Sequence, residues 1–160
     1  MEITKLSYND LQFLQEVRNL FAEEFLHDSR KFTIQETTNW FIENSPAYWV
    51  IKVNGEKIGY FRTSNHSIIN KNIYIGADIH PNYQGKGYAQ EAYKMFIPMI
   101  FAEYDLHKIS LEVLATNQRA IHIYKKLGFV YEGTKRQEVL KNGKYVDSII
   151  MSILRDEFKK

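Results

Sequence analysis

Two clusters in this chain hold residue types and spacings that could do chemistry. The first is Gln84-Gly85-Lys86-Gly87-Tyr88-Ala89, set where a strand pattern gives way to a helical one. A helix start leaves several amides without partners inside the helix, and with the positive end of the helix dipole those donors suit a phosphate. Glycine lets a pyrophosphate approach the backbone where a side chain would hold it away, and Lys86 can add a point charge. The same letters also fit an ordinary glycine-rich turn. The loop lacks the Gly-Lys-Ser/Thr ending of a P-loop and is not the G-x-G-x-x-G that opens a dinucleotide fold, so ATP hydrolysis and hydride transfer lose ground.

The second cluster is Asn117-Gln118-Arg119-Ala120-Ile121-His122-Ile123-Tyr124-Lys125-Lys126-Leu127-Gly128-Phe129. At helical spacing Ala120, Ile123, Tyr124 and Leu127 share a face, and Asn117 opens the helix. Tyr124 therefore points inward. A phenol there is either a core residue with its hydroxyl satisfied or an acid turned toward a site.

Taken together, in this order and about 30 residues apart, the clusters resemble the general-control-type N-acetyltransferases, the GNAT superfamily. Motif A of that family, Q/R-x-x-G-x-G/A, is matched by Gln84, Gly87 and Ala89. Motif B, N-x-x-A-x-x-x-Y-x-x-x-G-F, is matched by Asn117, Ala120, Tyr124, Gly128 and Phe129. The similarity covers roughly residues 58–154, and the closing segment looks like the subgroup holding the ribosomal-protein and spermidine acetyltransferases. Residues 1–45 share only a strand–helix–helix pattern with it.

The resemblance implies an acetyl-CoA enzyme. Gln84, Gly85, Lys86, Gly87, Tyr88 and Ala89 would hold the pyrophosphate, and the strand ending near Ile79 would line the acyl-pantetheine arm. Asn117 would hold the cofactor and the helix start. Attack of a neutral amine on a thioester expels a thiolate, which leaves more easily if an acid gives it a proton. Tyr124, a phenol of reference pKa about 10, stays protonated at neutral pH and can be that acid.

Other chemistries find little support. His27, His66, His80, His107 and His122 form no H-E-x-x-H and no tight ligand pair, so no metal site is expected. No serine lies in a G-x-S-x-G elbow. There are no cysteines, which removes disulfides, thiolate zinc sites and a thiol nucleophile and makes the cytoplasm the expected compartment. The 21 Lys and Arg against 19 Asp and Glu give a net charge of +2, too little to draw the chain to nucleic acid or an anionic membrane. No apolar run approaches the roughly 20 residues of a membrane helix.

The elements that must position these residues follow from periodicity. With 160 residues the chain has room for one domain, residues 1–160. Residues 3–8 alternate like a strand, after which Asn9 or Asp10 caps a helix whose Leu11, Leu14, Val17, Leu20, Phe21 and Phe25 share a face. Thr33 caps a second helix over 34–42. Strands over 48–53 and 57–61 flank Asn54-Gly55, and strands over 129–140 and 144–154 flank Asn142-Gly143, both strong hairpin signals. Residues 72–80 form a strand, followed by a helix with Ala89, Ala92, Tyr93, Phe96, Ile97, Ile100, Phe101 and Tyr104 on one stripe and a kink expected at Pro98. A strand over 108–114 and a helix over 117–127 complete the set. The fold expected is α/β (α+β mixed), a GNAT-like central mixed, mostly antiparallel sheet with helices on both faces.

The reading is an acetyl-CoA-dependent N-acetyltransferase acting on a primary amine, whether a polyamine, an amino sugar or a protein N-terminus. The alternative is a non-catalytic acyl-CoA-binding or sensory module. A homodimer stays open. For the base that deprotonates the amine, Asp78 and the acids Glu23, Glu24, Asp28, Glu36 and Glu43 stand beside a water chain as candidates. Those five helical acids would favour a cationic acceptor.

Overall fold

The computed structural model describes residues 1–158, and its elements follow in the order β1 (Glu2–Lys5), α1 (Leu11–Ala22), α2 (Ile34–Asn44), β2 (Trp49–Val53), β3 (Glu56–Ser67), β4 (Asn72–Ile79), α3 (Tyr88–Glu103), β5 (Lys108–Leu114), α4 (Gln118–Lys126), β6 (Val130–Lys141) and β7 (Lys144–Leu154). Both expected hairpins form. Asn54 and Gly55 take φ of 52° and 80°, and Asn142 and Gly143 take 50° and 77°, the positive values that match a tight turn to the twist of its strands.

The seven strands make one sheet in the order β1-β2-β3-β4-β5-β7-β6. Every neighbouring pair is antiparallel except β4 and β5, which run parallel and pair only from Asn72↔Lys108 to Tyr74↔Ser110. The parallel step requires a crossover, and α3 supplies it.

Alternation along the strands sends apolar side chains to both faces. On one face Phe96, Ile97 and Ile100 of α3 and Tyr124 and Leu127 of α4 pack with Phe61, Ile73, Ile109 and Leu111 of the sheet. Phe61 stacks on Phe96 with ring centroids 3.9 Å apart, an arrangement that adds about 1 kcal/mol beyond burial. On the other face Leu11, Leu14 and Val17 of α1 cover Val50 and Tyr60, with Trp40 and Phe41 of α2 alongside. α2 starts in a capping box, where Thr33 Oγ1 accepts from the Glu36 amide and Glu36 accepts from the Thr33 amide.

Two local expectations change. The first strand stops at Lys5, because Ser7 to Asp10 form a short 3-10 turn closed by the Asp10 carboxylate, which accepts from the Ser7 amide at 2.9 Å. Leu20 is 56% exposed rather than part of the buried stripe, and Phe25 lies beyond the end of α1. α3 stays continuous through Pro98; Lys94, whose carbonyl loses its usual partner there, is on the exposed side. Among the described residues no helix is long and apolar enough to cross a membrane.

Candidate active site

Beyond Tyr74 and Ser110 the two parallel strands part. Ile75 to Ile79 pair only with β3, and Leu111 to Leu114 pair only with β7, so a slot opens through the middle of the sheet. A cavity of about 510 Å³ fills it. Its walls come from both faces: Ala89, Ala120, Ile123 and Tyr124 from the α3 and α4 side, and Phe21, Phe25, Arg62, Asp78 and Glu112 from the α1 side. A molecule entering from one face can therefore meet a molecule entering from the other.

At one end lies the start of α3. Gly87 is its N-cap at φ 80°, with no side chain capping the helix, and Gly85 stands at φ 75°. α2 and α4, by contrast, are capped by Thr33 and by Asn117, whose Oδ1 accepts from the Ala120 amide at 3.3 Å. The first amides of α3 are thus left for a ligand, and no atom lies within 4 Å of where a Cβ would stand on Gly85 or Gly87. This is a cradle that fits a pyrophosphate.

The predicted residues are brought together there, with one difference. Ile79, Gln84, Gly85, Gly87, Tyr88, Ala89 and Asn117 line the cavity, whereas the Lys86 ammonium lies over the Tyr83 ring, 5.9 Å from its centroid, and does not line it. Arg119 does line it. Its guanidinium donates to Gln84 Oε1, while Gln84 Nε2 donates to the Ile79 carbonyl at 3.0 Å, so Gln84 straps the end of β4 to α4.

Tyr124 is buried at 8% exposure and is also part of the cavity wall. Its ring meets Tyr93 edge-on at 5.5 Å and tilts against Phe129 at 5.9 Å. Burial raises its pKa above the ordinary tyrosine value, and the hydrogen bond from Tyr93 pulls only partly against that. The phenol is therefore neutral and carries its proton at any physiological pH.

The far end of the cavity holds polar residues that periodicity did not single out. Arg62 of β3 reaches across to Asp78 of β4, with Nε 3.2 Å from Oδ2 and Nη2 3.4 Å from Oδ1. It lies over Gly76, where a Cβ would stand 2.7 Å from Nη2. From the loop after α1, His27 places Nε2 2.7 Å from Ser148 Oγ and 3.5 Å from Glu112 Oε2, and Lys135 sits 2.5 Å from the other oxygen of Glu112. Burial lowers the His27 pKa; Glu112 opposes the shift, and Arg62, Lys135 and Lys141 add to it. The signal was present in parity: Arg62 shares the phase of Tyr60 in β3, and Glu112 that of Lys108 and Ser110 in β5, on the face opposite the apolar Ile109, Leu111 and Val113. The loop that delivers His27 is tied down by Lys141, which donates to the Ala22 carbonyl at 2.7 Å and Ser29 Oγ at 2.6 Å.

The five helical acids, in contrast, are elsewhere. Glu23, Glu24 and Glu43 are exposed, Asp28 pairs with Arg30 at 2.7 Å, Glu36 belongs to the cap of α2, and none lines the cavity. Of the carboxylates considered as bases, only Asp78 does.

Comparison with known proteins agrees with this geometry. The chain is 28% identical to the spermidine N(1)-acetyltransferase of Escherichia coli (strain K12) over 99% of its own length and 88% of that protein. It is also 28% identical to the spermidine N(1)-acetyltransferase of Vibrio cholerae serotype O1, over 99% of the chain and 95% of that protein. The crystal structure of spermidine N-acetyltransferase from Vibrio cholerae in complex with CoA and spermine superposes with a TM-score of 0.90 at 26% identity, covering 98% of this chain and 96% of that one. The model of the acetyltransferase (GNAT) family matches residues 14–129, a stretch that holds the parted strands, the glycine loop and Tyr124. The chain belongs to the GNAT family and is an N-acetyltransferase.

Proposed function

We propose that the protein transfers an acetyl group from acetyl-CoA directly to a primary amine of a small molecule, with Tyr124 as the acid that protonates the leaving thiolate. The observation that carries this reading is the position of a neutral, buried phenol on the wall of a slot open to both faces of the sheet. The uncapped start of α3 would receive the pyrophosphate. The unpaired edges of β4 and β5 offer backbone donors and acceptors to the amide-bearing arm, as a sheet edge does to an added strand. Bound there, acetyl-CoA supplies an activated acyl carbon. The amine nitrogen bonds to that carbon as the carbon–sulfur bond breaks, the departing sulfur takes the Tyr124 proton, and the proton shed by the nitrogen passes to water, from which Tyr124 regains its own.

The one continuous sheet supports reading residues 1–160 as a single catalytic domain. Spermidine is among the first acceptors to offer, since relatives aligned over 99% of the chain carry that name. The test is release of free CoA thiol from acetyl-CoA in the presence of a panel of amines. Release that depends on an amine supports the transferase; tight acetyl-CoA binding with no release from any amine would leave a binding module instead.

A further inference from the structure

The acceptor end of the cavity is built around a fixed cation. Asp78 is 8% exposed and grips the inner edge of the Arg62 guanidinium, while 37% of the Arg62 side chain stays accessible. The missing side chain of Gly76 gives Arg62 its room. A long side chain held on one edge and open on the other is preorganised for a second anion, because a guanidinium has donors left over after one carboxylate.

The charges nearby point the same way. Two acids line the cavity, Asp78 and Glu112, and each already faces a cation, Arg62 and Lys135. Around His27, the single acid Glu112 is set against Arg62, Lys135 and Lys141. A polyamine seated here would bring a second ammonium toward Arg62 with both carboxylates already ion-paired, Asp78 to Arg62 itself and Glu112 to Lys135. An anion attached to the amine would instead meet the open edge of Arg62, and the Phe21 and Phe25 wall would cover its carbon skeleton.

We infer that the acceptor is an amine that itself carries an anionic group, a carboxylate or a phosphate, and that Arg62 receives that group. This rests on the transferase reading above and names the substrate class of the same site. Arg62 becomes a specificity residue, and the chain departs here from relatives named for a polycation.

The experiment compares matched acceptors by CoA release: glucosamine 6-phosphate against glucosamine, phenylalanine against phenylalaninamide, and spermidine. One anionic member should exceed its partner in kcat/KM by about tenfold to hundredfold, the worth of a hydrogen bond to a charged group. Which pair shows the preference separates phosphate from carboxylate. Arg62→Gln should remove the preference and Arg62→Lys should keep part of it, with acetyl-CoA affinity by calorimetry confirming that each variant is folded. The wild-type comparison stands even if the variants fail to fold. Spermidine turned over as well as the best anionic amine, or equal rates within both pairs, would overturn the inference and leave the transferase intact. No release with any amine would overturn both.

Discussion

The hydroxyls of Tyr93 and Tyr124 are 3.2 Å apart, with Tyr93 donating and Tyr124 accepting. Tyr93 is the more deeply buried of the two, at 2% exposure, so its proton has Tyr124 to go to, while Tyr124 keeps its own proton free for the cavity. In the proposed reaction this pairing would leave the Tyr124 proton available to the thiolate.

Replacing Tyr124 by Phe keeps the ring contacts with Tyr93 and Phe129 and removes the hydroxyl, the proton donor and the acceptor of the Tyr93 hydrogen bond together. Turnover should fall about a hundredfold or more, the usual worth of a positioned acid, while acetyl-CoA affinity stays within a few fold. Steady-state kinetics paired with calorimetry checks this, and undiminished turnover would return Tyr124 to a purely structural role.

Gly87→Val tests the cradle. Valine at φ 80° strains the left-handed backbone by about 1–2 kcal/mol, and its branched side chain stands in open space where the phosphate would come. Acetyl-CoA binding should weaken by at least tenfold with the thermal midpoint lowered by only a few degrees. Unchanged affinity in calorimetry would take the pyrophosphate away from this loop.

Gly59 and Gly76 separate stability from specificity. A Cβ on Gly59 would stand 2.5 Å from the Asp78 carbonyl, which is backbone and cannot yield, so Gly59→Ala should destabilise by about 1–3 kcal/mol. On Gly76 it would meet the tip of Arg62, which can swing away. Gly76→Ala should therefore cost less stability but change the acceptor KM with acetyl-CoA affinity kept. Denaturant melts and acceptor kinetics on both variants decide it; the opposite ranking would contradict the placement of Arg62.

His27 sets an acid limit to stability. Burial holds its folded pKa below the ordinary histidine value of about 6.5, so the unfolded chain binds the proton more readily. The stability it contributes is whole above about pH 6.5 and is lost as the pH falls from there toward the lower folded value. Thermal midpoints measured between pH 7.5 and about 5 should decline less steeply in His27→Gln than in the wild type. Parallel curves would show that His27 titrates as an ordinary surface histidine.

Local chemistry determined much of this protein. The Asn-Gly pairs fixed both hairpins because few residues tolerate two successive positive φ angles. Thr33 and Asn117 announced their helices through caps, and the stripe of α3 emerged as the buried face of the larger core. The glycines at 85 and 87 and the inward phase of Tyr124 were legible for the same reason, being properties of short stretches of chain.

What tertiary structure alone decided is where distant strands stop pairing. The parting of β4 from β5 after three residue pairs creates the cavity, and no local pattern encodes the end of a pairing between segments some 36 residues apart. That slot brings Arg62, Asp78, Glu112 and His27 together from four separate segments, and it is lined by Arg119 but not by Lys86 or by the five acids between residues 23 and 43. Charge counted along a helix records how many acids are near one another in sequence. Which of them faces a ligand depends on how the chain is packed: Glu23, Glu24 and Asp28 lie beyond the end of α1 at Ala22, and Glu36 and Glu43 sit on the exposed side of α2, none of them on the slot.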